Sequence, residues 1–157
     1  MALEQVWIVA GTRPEVLKQA PLLSETRRSL GEARVKFVAV RQHDSLLDQA
    51  LAEFSVSPDL TIQLPPRPST LGGLTELLAS LIKEIGAAIS QTRPSIVVVQ
   101  GDTMTAAAFA QAAFLNGVPV LHNEAGLRSG DLAHPFPEEA NRKLISTIAT
   151  RHYAPTD

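Results

Sequence analysis

The sequence predicts an α/β protein organised as a doubly wound parallel sheet. Three observations carry that expectation. Short apolar, β-favouring runs such as Ile96-Val97-Val98-Val99 recur along the chain, helical spacing follows each of them, and four of the runs end in polar clusters. Strands that alternate with helices are joined by right-handed crossovers, which lays the strands parallel.

Val6-Trp7-Ile8-Val9-Ala10 is an apolar run stopped by Gly11, as expected of a strand buried on both faces. From Pro14 the spacing turns helical, with Val16, Leu17, Ala20, Leu22 and Leu23 on one face. Pro21 must kink this helix or sit in its first turn. The run 35–40 repeats the strand pattern, and Leu46, Leu47, Ala50, Leu51 and Phe54 mark the next helix. A weak strand at 60–64 leads to Pro65-Pro66-Arg67-Pro68, whose prolines fit neither a ladder nor a helix interior. An amphipathic helix is expected over 71–90, carrying Gly72, Gly73 and Gly86 at some cost. The run 96–99 is the clearest buried strand, and an alanine-rich helix over 105–115 follows it. A strand at 118–122, a charged loop, a helix over 137–150 and a short strand at 152–154 complete the chain.

A length of 157 residues with 45% hydrophobic content suits one domain, 1–157, with a core of ordinary size. The formal charge of -2 supplies no general attraction for nucleic acid or acidic membranes, so any anion site must be local. An aromatic content of 4% is thin for base stacking, which argues further against nucleic acid. With no cysteine, disulfides and thiolate metal sites are excluded. The chain lacks the basic start of a signal peptide, and no apolar stretch approaches the ~18 residues of a membrane span. A cytoplasmic protein is expected.

Gly11-Thr12-Arg13, Gln42-His43, Gly101-Asp102-Thr103 and Glu124-Ala125-Gly126 each lie just past a predicted strand, at the edge where such sheets bind ligands. The densest cluster of charge is 122–142, with three glutamates, two arginines, an aspartate and two histidines. Arg13 and Lys18 stand beside a helix start whose amides and dipole favour an anion, although an ordinary turn with proline at the first helical position explains the same residues. Neither a GxGxxG fingerprint nor a P-loop is present, which disfavours a nicotinamide dinucleotide or a triphosphate. Asp102 can cap the next helix or act as an acid or base. Glu138 and Glu139 suit a helix start, and Glu138 with Arg142 makes an i,i+4 pair. Glu124 has neither a capping position nor a local partner, so it reads as functional. His43, His122 and His134 lack zinc-ligand spacing, so no metal is expected; His43 is a candidate ligand contact and His134 packs among prolines.

These motifs, together with Gly11-Thr12-Arg13-Pro14-Glu15 and the closing His152-Tyr153-Ala154-Pro155-Thr156, resemble the amino-terminal domain of the non-hydrolysing UDP-N-acetylglucosamine 2-epimerases. The resemblance implies one Rossmann-like half of a glycosyltransferase-B-like architecture, with the carboxyl-terminal half absent. It implies interconversion of UDP-N-acetylglucosamine and UDP-N-acetylmannosamine by elimination and re-addition of UDP, with no cofactor. On the family pattern Asp102, Glu124, Glu138 and Arg142 fall on catalytic positions, with Glu124 as the C2 base. Arg13 and Lys18 face the nucleotide, Gln42 and His43 contact ligand, and Arg128 and Asp131 order the loop. Val40-Arg41 replaces a common Thr-Gly, Asn123 a Val, and Asp44-Ser45 follows His43 where bacterial members hold an activating nucleotide-sugar. A UDP-sugar ligand and either a homodimer or a carboxyl-terminal domain partner are expected. The alternatives are a related UDP-diacetamido-uronate 2-epimerase and a non-catalytic nucleotide-sugar-binding module.

Overall fold

The computed structural model describes residues 5–41, 45–64 and 71–156. Six strands form one sheet in the order β3-β2-β1-β4-β5-β6: β1 (Val6–Ala10), β2 (Val35–Arg41), β3 (Leu60–Gln63), β4 (Ile96–Gln100), β5 (Val120–Asn123) and β6 (Arg151–Tyr153). Every pairing is parallel, and the strand order reverses between β1 and β4. This is the doubly wound, Rossmann-like sheet that the sequence predicts.

Five α-helices connect the strands: α1 (Arg13–Leu30), α2 (Ser45–Glu53), α3 (Leu71–Thr92), α4 (Met104–Leu115) and α5 (Glu138–Ile148), with a single 3-10 turn at Glu32–Arg34. Alternate residues of the central strands feed two cores, one on each face of the sheet. Val6, Ile8 and Ala10 pack with Val16, Leu23, Phe37 and Leu47 beneath α1 and α2. Trp7 and Val9 join Leu81, Ile85, Val97, Val99, Phe109 and Ile145 beneath α3, α4 and α5. Burial on both faces is why β1 and β4 carry no polar alternation.

Pro21 lies inside α1, neither in its first turn nor at its end. Of the two placements the sequence allows, the first turn is therefore excluded, and the helix continues through Pro21 with one backbone hydrogen bond missing, its apolar face packed on the sheet. Helix α4 is buried almost all round, from Ala106 through Ala113, because it lies between α3 and α5 as well as on the sheet. Small side chains allow that close approach, and Phe109 fills the space beneath it. The loop 65–68, with Arg67, falls outside the described residues, as do Gln42, His43 and Asp44.

Candidate active site

The polar residues gather where β4 and β5 end, next to the reversal in strand order. Strand β4 stops at Gln100, and Gly101 turns the chain with φ +66, a conformation open to glycine at little cost. Thr103, not Asp102, then caps α4: its hydroxyl accepts from the Ala106 amide at 3.0 Å. Asp102 is thereby left for Arg142, whose Nε and Nη2 reach Asp102 Oδ2 at 3.1 and 2.5 Å. Of the two roles open to Asp102 in the sequence, capping is the one that the structure removes.

Strand β5 stops at Asn123, and Glu124 follows with φ +58. Few residues with a side chain adopt this left-handed backbone, and those that do cluster at functional sites. Arg142 Nη1 donates to the Glu124 carbonyl oxygen and so fixes the strained turn. Glu124 Oε2 accepts from Lys18 Nζ and from Gln100 Nε2, the latter at 2.5 Å. Glu124 Oε1 lies 3.9 Å from Arg142 Nη2. Two carboxylates and two cations thus form one cluster drawn from α1, β4, the strand-end turns and α5. A cleft of about 510 Å³ opens over it, lined by Lys18, Gln100, Asn123, Glu124, Leu127 and Tyr153.

Comparison with known proteins gives this cluster a context. The family model described as UDP-N-acetylglucosamine 2-epimerase matches residues 26–157. The chain belongs to the UDP-N-acetylglucosamine 2-epimerase family. It is 41% identical over 155 residues to UDP-N-acetylglucosamine 2-epimerase of Salmonella typhimurium and 42% identical over 156 residues to that of Escherichia coli. Both alignments cover 98% of this chain, which spans 40% of the length of each relative. Among solved structures, UDP-GlcNAc 2-epimerase from Neisseria meningitidis bound to UDP-GlcNAc superposes with a TM-score of 0.88 at 38% identity, over 97% of this chain and 40% of that one. The Methanocaldococcus jannaschii enzyme in complex with UDP-GlcNAc and UDP superposes at 0.85 with 31% identity, over 97% and 40% of the two chains.

In this epimerase-family chain the structure brings Asp102, Glu124, Arg142 and Lys18 together. It does not add Arg13, whose guanidinium pairs with Glu53 at 3.7 Å. Nor does the i,i+4 pair form: Arg142 faces Asp102 and Glu124, and Glu138 has no ion-pair partner among the described residues. Glu138 is half-buried at the first position of α5. Its neighbour Glu139 is the buried one, accepting from the Ser129 amide at 3.0 Å with Lys143 at 3.3 Å. The Ser129 bond is the main reason its carboxyl is held below the usual range. Arg128 donates to Ser146 Oγ at 3.0 Å, and Asp131 accepts from the Ala133 amide at 2.8 Å. His134 sits 3.1 Å from that aspartate rather than merely packing on prolines.

Three residues have structural roles that the sequence reading did not assign. Glu15 is buried, and its carboxylate accepts from the Gly11 amide at 2.8 Å, Thr12 Oγ1 at 2.9 Å and Thr103 Oγ1 at 2.7 Å. The start of α1, expected to attract an anion, is served by the chain's own carboxylate. Burial raises the Glu15 pKa, against the pull of these bonds. The pattern Thr12-x-x-Glu15 has the spacing of a capping box, but the Thr12 hydroxyl caps no amide and donates to Glu15 instead. His122, with no exposed surface, places Nε2 at 2.7 Å from the Gly101 carbonyl, so that nitrogen carries the proton; burial lowers its pKa. Gln100 is the third, and a polar residue closing a run of three valines is its signal. Among the described residues, no group of three or more His, Asp or Glu side chains is placed to hold a metal, and no helix is long and apolar enough to cross a membrane.

Proposed function

We propose that this chain supplies one wall of a UDP-N-acetylglucosamine 2-epimerase active site, with Glu124 as the base that removes the proton from C2 of the sugar. The observation that carries this reading is the setting of Glu124: a strained strand-end residue, one carboxylate oxygen held by Lys18 and Gln100, facing a cleft beside the Asp102–Arg142 pair. In the forward step the C2–H bond breaks and its proton passes to Glu124. The bonding pair becomes the C1=C2 double bond of a glycal, and the C1–O bond breaks with its electrons leaving on UDP. Re-addition of UDP with protonation of C2 from the opposite face gives the manno epimer. Asp102 and Glu138 serve the second proton transfer, and Arg142 holds Asp102 and the Glu124 turn in register.

The cluster's two cations are matched by two carboxylates, so they leave no surplus charge for a diphosphate. The chain spans 40% of its relatives' length, and we assign to the rest of that length the other wall of the cleft, the main diphosphate contacts and the cover that keeps water from the glycal. The reaction belongs in the cytoplasm, in the supply of activated sugars for surface polysaccharide.

The test is proton NMR of UDP-N-acetylglucosamine in D2O, with this chain alone and with the carboxyl-terminal part of a relative added. Loss of the C2–H signal and growth of the manno epimer, both abolished by Glu124→Gln, are expected in at least one of the two mixtures. Binding with no exchange in either mixture would leave a nucleotide-sugar-binding module instead.

A further inference from the structure

We propose that Gln100 is a positioning residue that dedicates one oxygen of Glu124 to being held and leaves the other to receive the proton. The inference rests on the reading of Glu124 as the base. Gln100 is the last residue of β4, 5% exposed, and in register with Asn123 on β5. Its Nε2 lies 2.5 Å from Glu124 Oε2, the same oxygen that Lys18 Nζ contacts. Glu124 Oε1 has no hydrogen-bond donor among the described residues, since Arg142 Nη2 at 3.9 Å is beyond reach. The two oxygens of one carboxylate are therefore unequal.

The two partners of Oε2 differ in kind. Lys18 brings charge on a half-exposed, flexible stem, with 51% of its side chain accessible, and so does little to fix direction. Gln100 brings a planar amide from a buried strand end, where few rotamers fit. Arg142 holds the Glu124 carbonyl, so the side chain is anchored at its backbone by Arg142 and at Oε2 by Gln100. A proton taken up at Oε1 leaves both bonds to Oε2 intact, and the transfer needs no rearrangement of the cluster. An amide suits this task better than a second carboxylate, which repels Glu124, or a second cation, which favours the anion so strongly that the base weakens.

The experiment compares Gln100→Leu and Gln100→Glu with the parent in the C2–H exchange assay across pH. The charged groups facing the pair are Lys18 from α1, Arg142 from α5 and Asp102 from the turn after β4. Gln100→Leu should slow exchange about tenfold or more, as loss of one hydrogen bond to a charged group implies, with half-saturation by the UDP-sugar within about twofold of the parent. Gln100→Glu should be slow at high pH and recover as pH falls, because a protonated carboxyl there can donate to Oε2. Unchanged exchange in Gln100→Leu, or a loss shared equally by binding, overturns the proposal.

A second readout separates this failure from failure of the base assignment. If the parent itself shows no exchange, Glu124 is not shown to be a base, and the Gln100 side-chain amide resonances decide the contact. They should shift on Glu124→Leu while amides of α3, remote from the site, stay in place. Resonances that do not respond sink the positioning role whatever the catalysis.

Discussion

Arg142 spans both acidic residues of the cluster: its Nη2 lies 2.5 Å from Asp102 Oδ2, while its Nη1 donates to the backbone carbonyl of Glu124. One guanidinium from α5 thus ties together the turns after β4 and β5. A point charge on a flexible stem cannot make both contacts in fixed directions. Replacing Arg142 with Met strands a partly buried carboxylate, and the expected loss is about 3 kcal/mol in urea unfolding, near the low end for a broken buried pair. Arg142→Lys should recover less than half of it.

His122 and Glu15 predict opposite slopes of stability with pH. Burial lowers the His122 pKa below 6.5, so the unfolded chain binds its proton first as pH falls. The contribution of His122 to stability is present above pH 6.5 and is lost as pH drops through the folded value. Glu15 is the reverse: its folded pKa is raised above 4.5, so its contribution is present below pH 4.5 and is lost as pH rises through the folded value. Denaturant midpoints measured from pH 4 to 8 should show His122→Leu flattening the rise with pH and Glu15→Gln removing a fall. A His122→Leu profile that runs parallel to the parent contradicts the burial argument.

The middle of the sheet was legible in the sequence because β1, β2 and β4 are largely apolar runs buried on both faces, and the alanine-rich pattern of α4 left little choice of element. The sequence also showed that Glu124, after a buried strand and before Ala125-Gly126, has no local partner, and in the structure its side chain meets Lys18 and Gln100 from distant parts of the chain. What local patterns could not show was pairing across the sheet. Arg142 sits four residues after Glu138, so spacing favoured that pair, yet the β5–β6 crossover, which packs α5 against α4 and β5, delivers the guanidinium to Asp102, forty positions away. Gln100 and His122 were hidden in the same way, since a polar residue at a strand end shows its role only once the neighbouring strand is in register.

Gly11 is held to glycine by Thr105 at the start of α4. A Cβ there would lie 2.6 Å from Thr105 Oγ1 and 2.7 Å from its Cγ2. Gly11→Ala should cost about 1–3 kcal/mol of unfolding free energy, as overpacking of a close contact does. Adding Thr105→Ala removes both of those atoms, so the double variant should be more stable than Gly11→Ala alone. Strict additivity of the two losses would show that residue 11 and Thr105 do not press on each other.

Thr103 both caps α4 and donates to Glu15 Oε1 at 2.7 Å. Thr103→Ala loses the cap and leaves a buried carboxyl short of one donor, for a combined cost of about 2 kcal/mol. Thr103→Ser keeps the hydroxyl and should cost much less, read from the same thermal or urea curves.

On the function proposed above, a UDP-sugar lies over the carboxyl ends of β4 and β5 against Glu124. The most direct test is an amide NMR titration of the chain with UDP-N-acetylglucosamine, following Gly101, Asp102, Glu124, Ala125 and the Gln100 side chain. Saturable shifts centred on those residues, weakened when Lys18 is replaced by Met, are the predicted result. Saturable shifts centred elsewhere, such as on β3 and α2, overturn this placement, as do none at millimolar ligand even with the carboxyl-terminal part of a relative added.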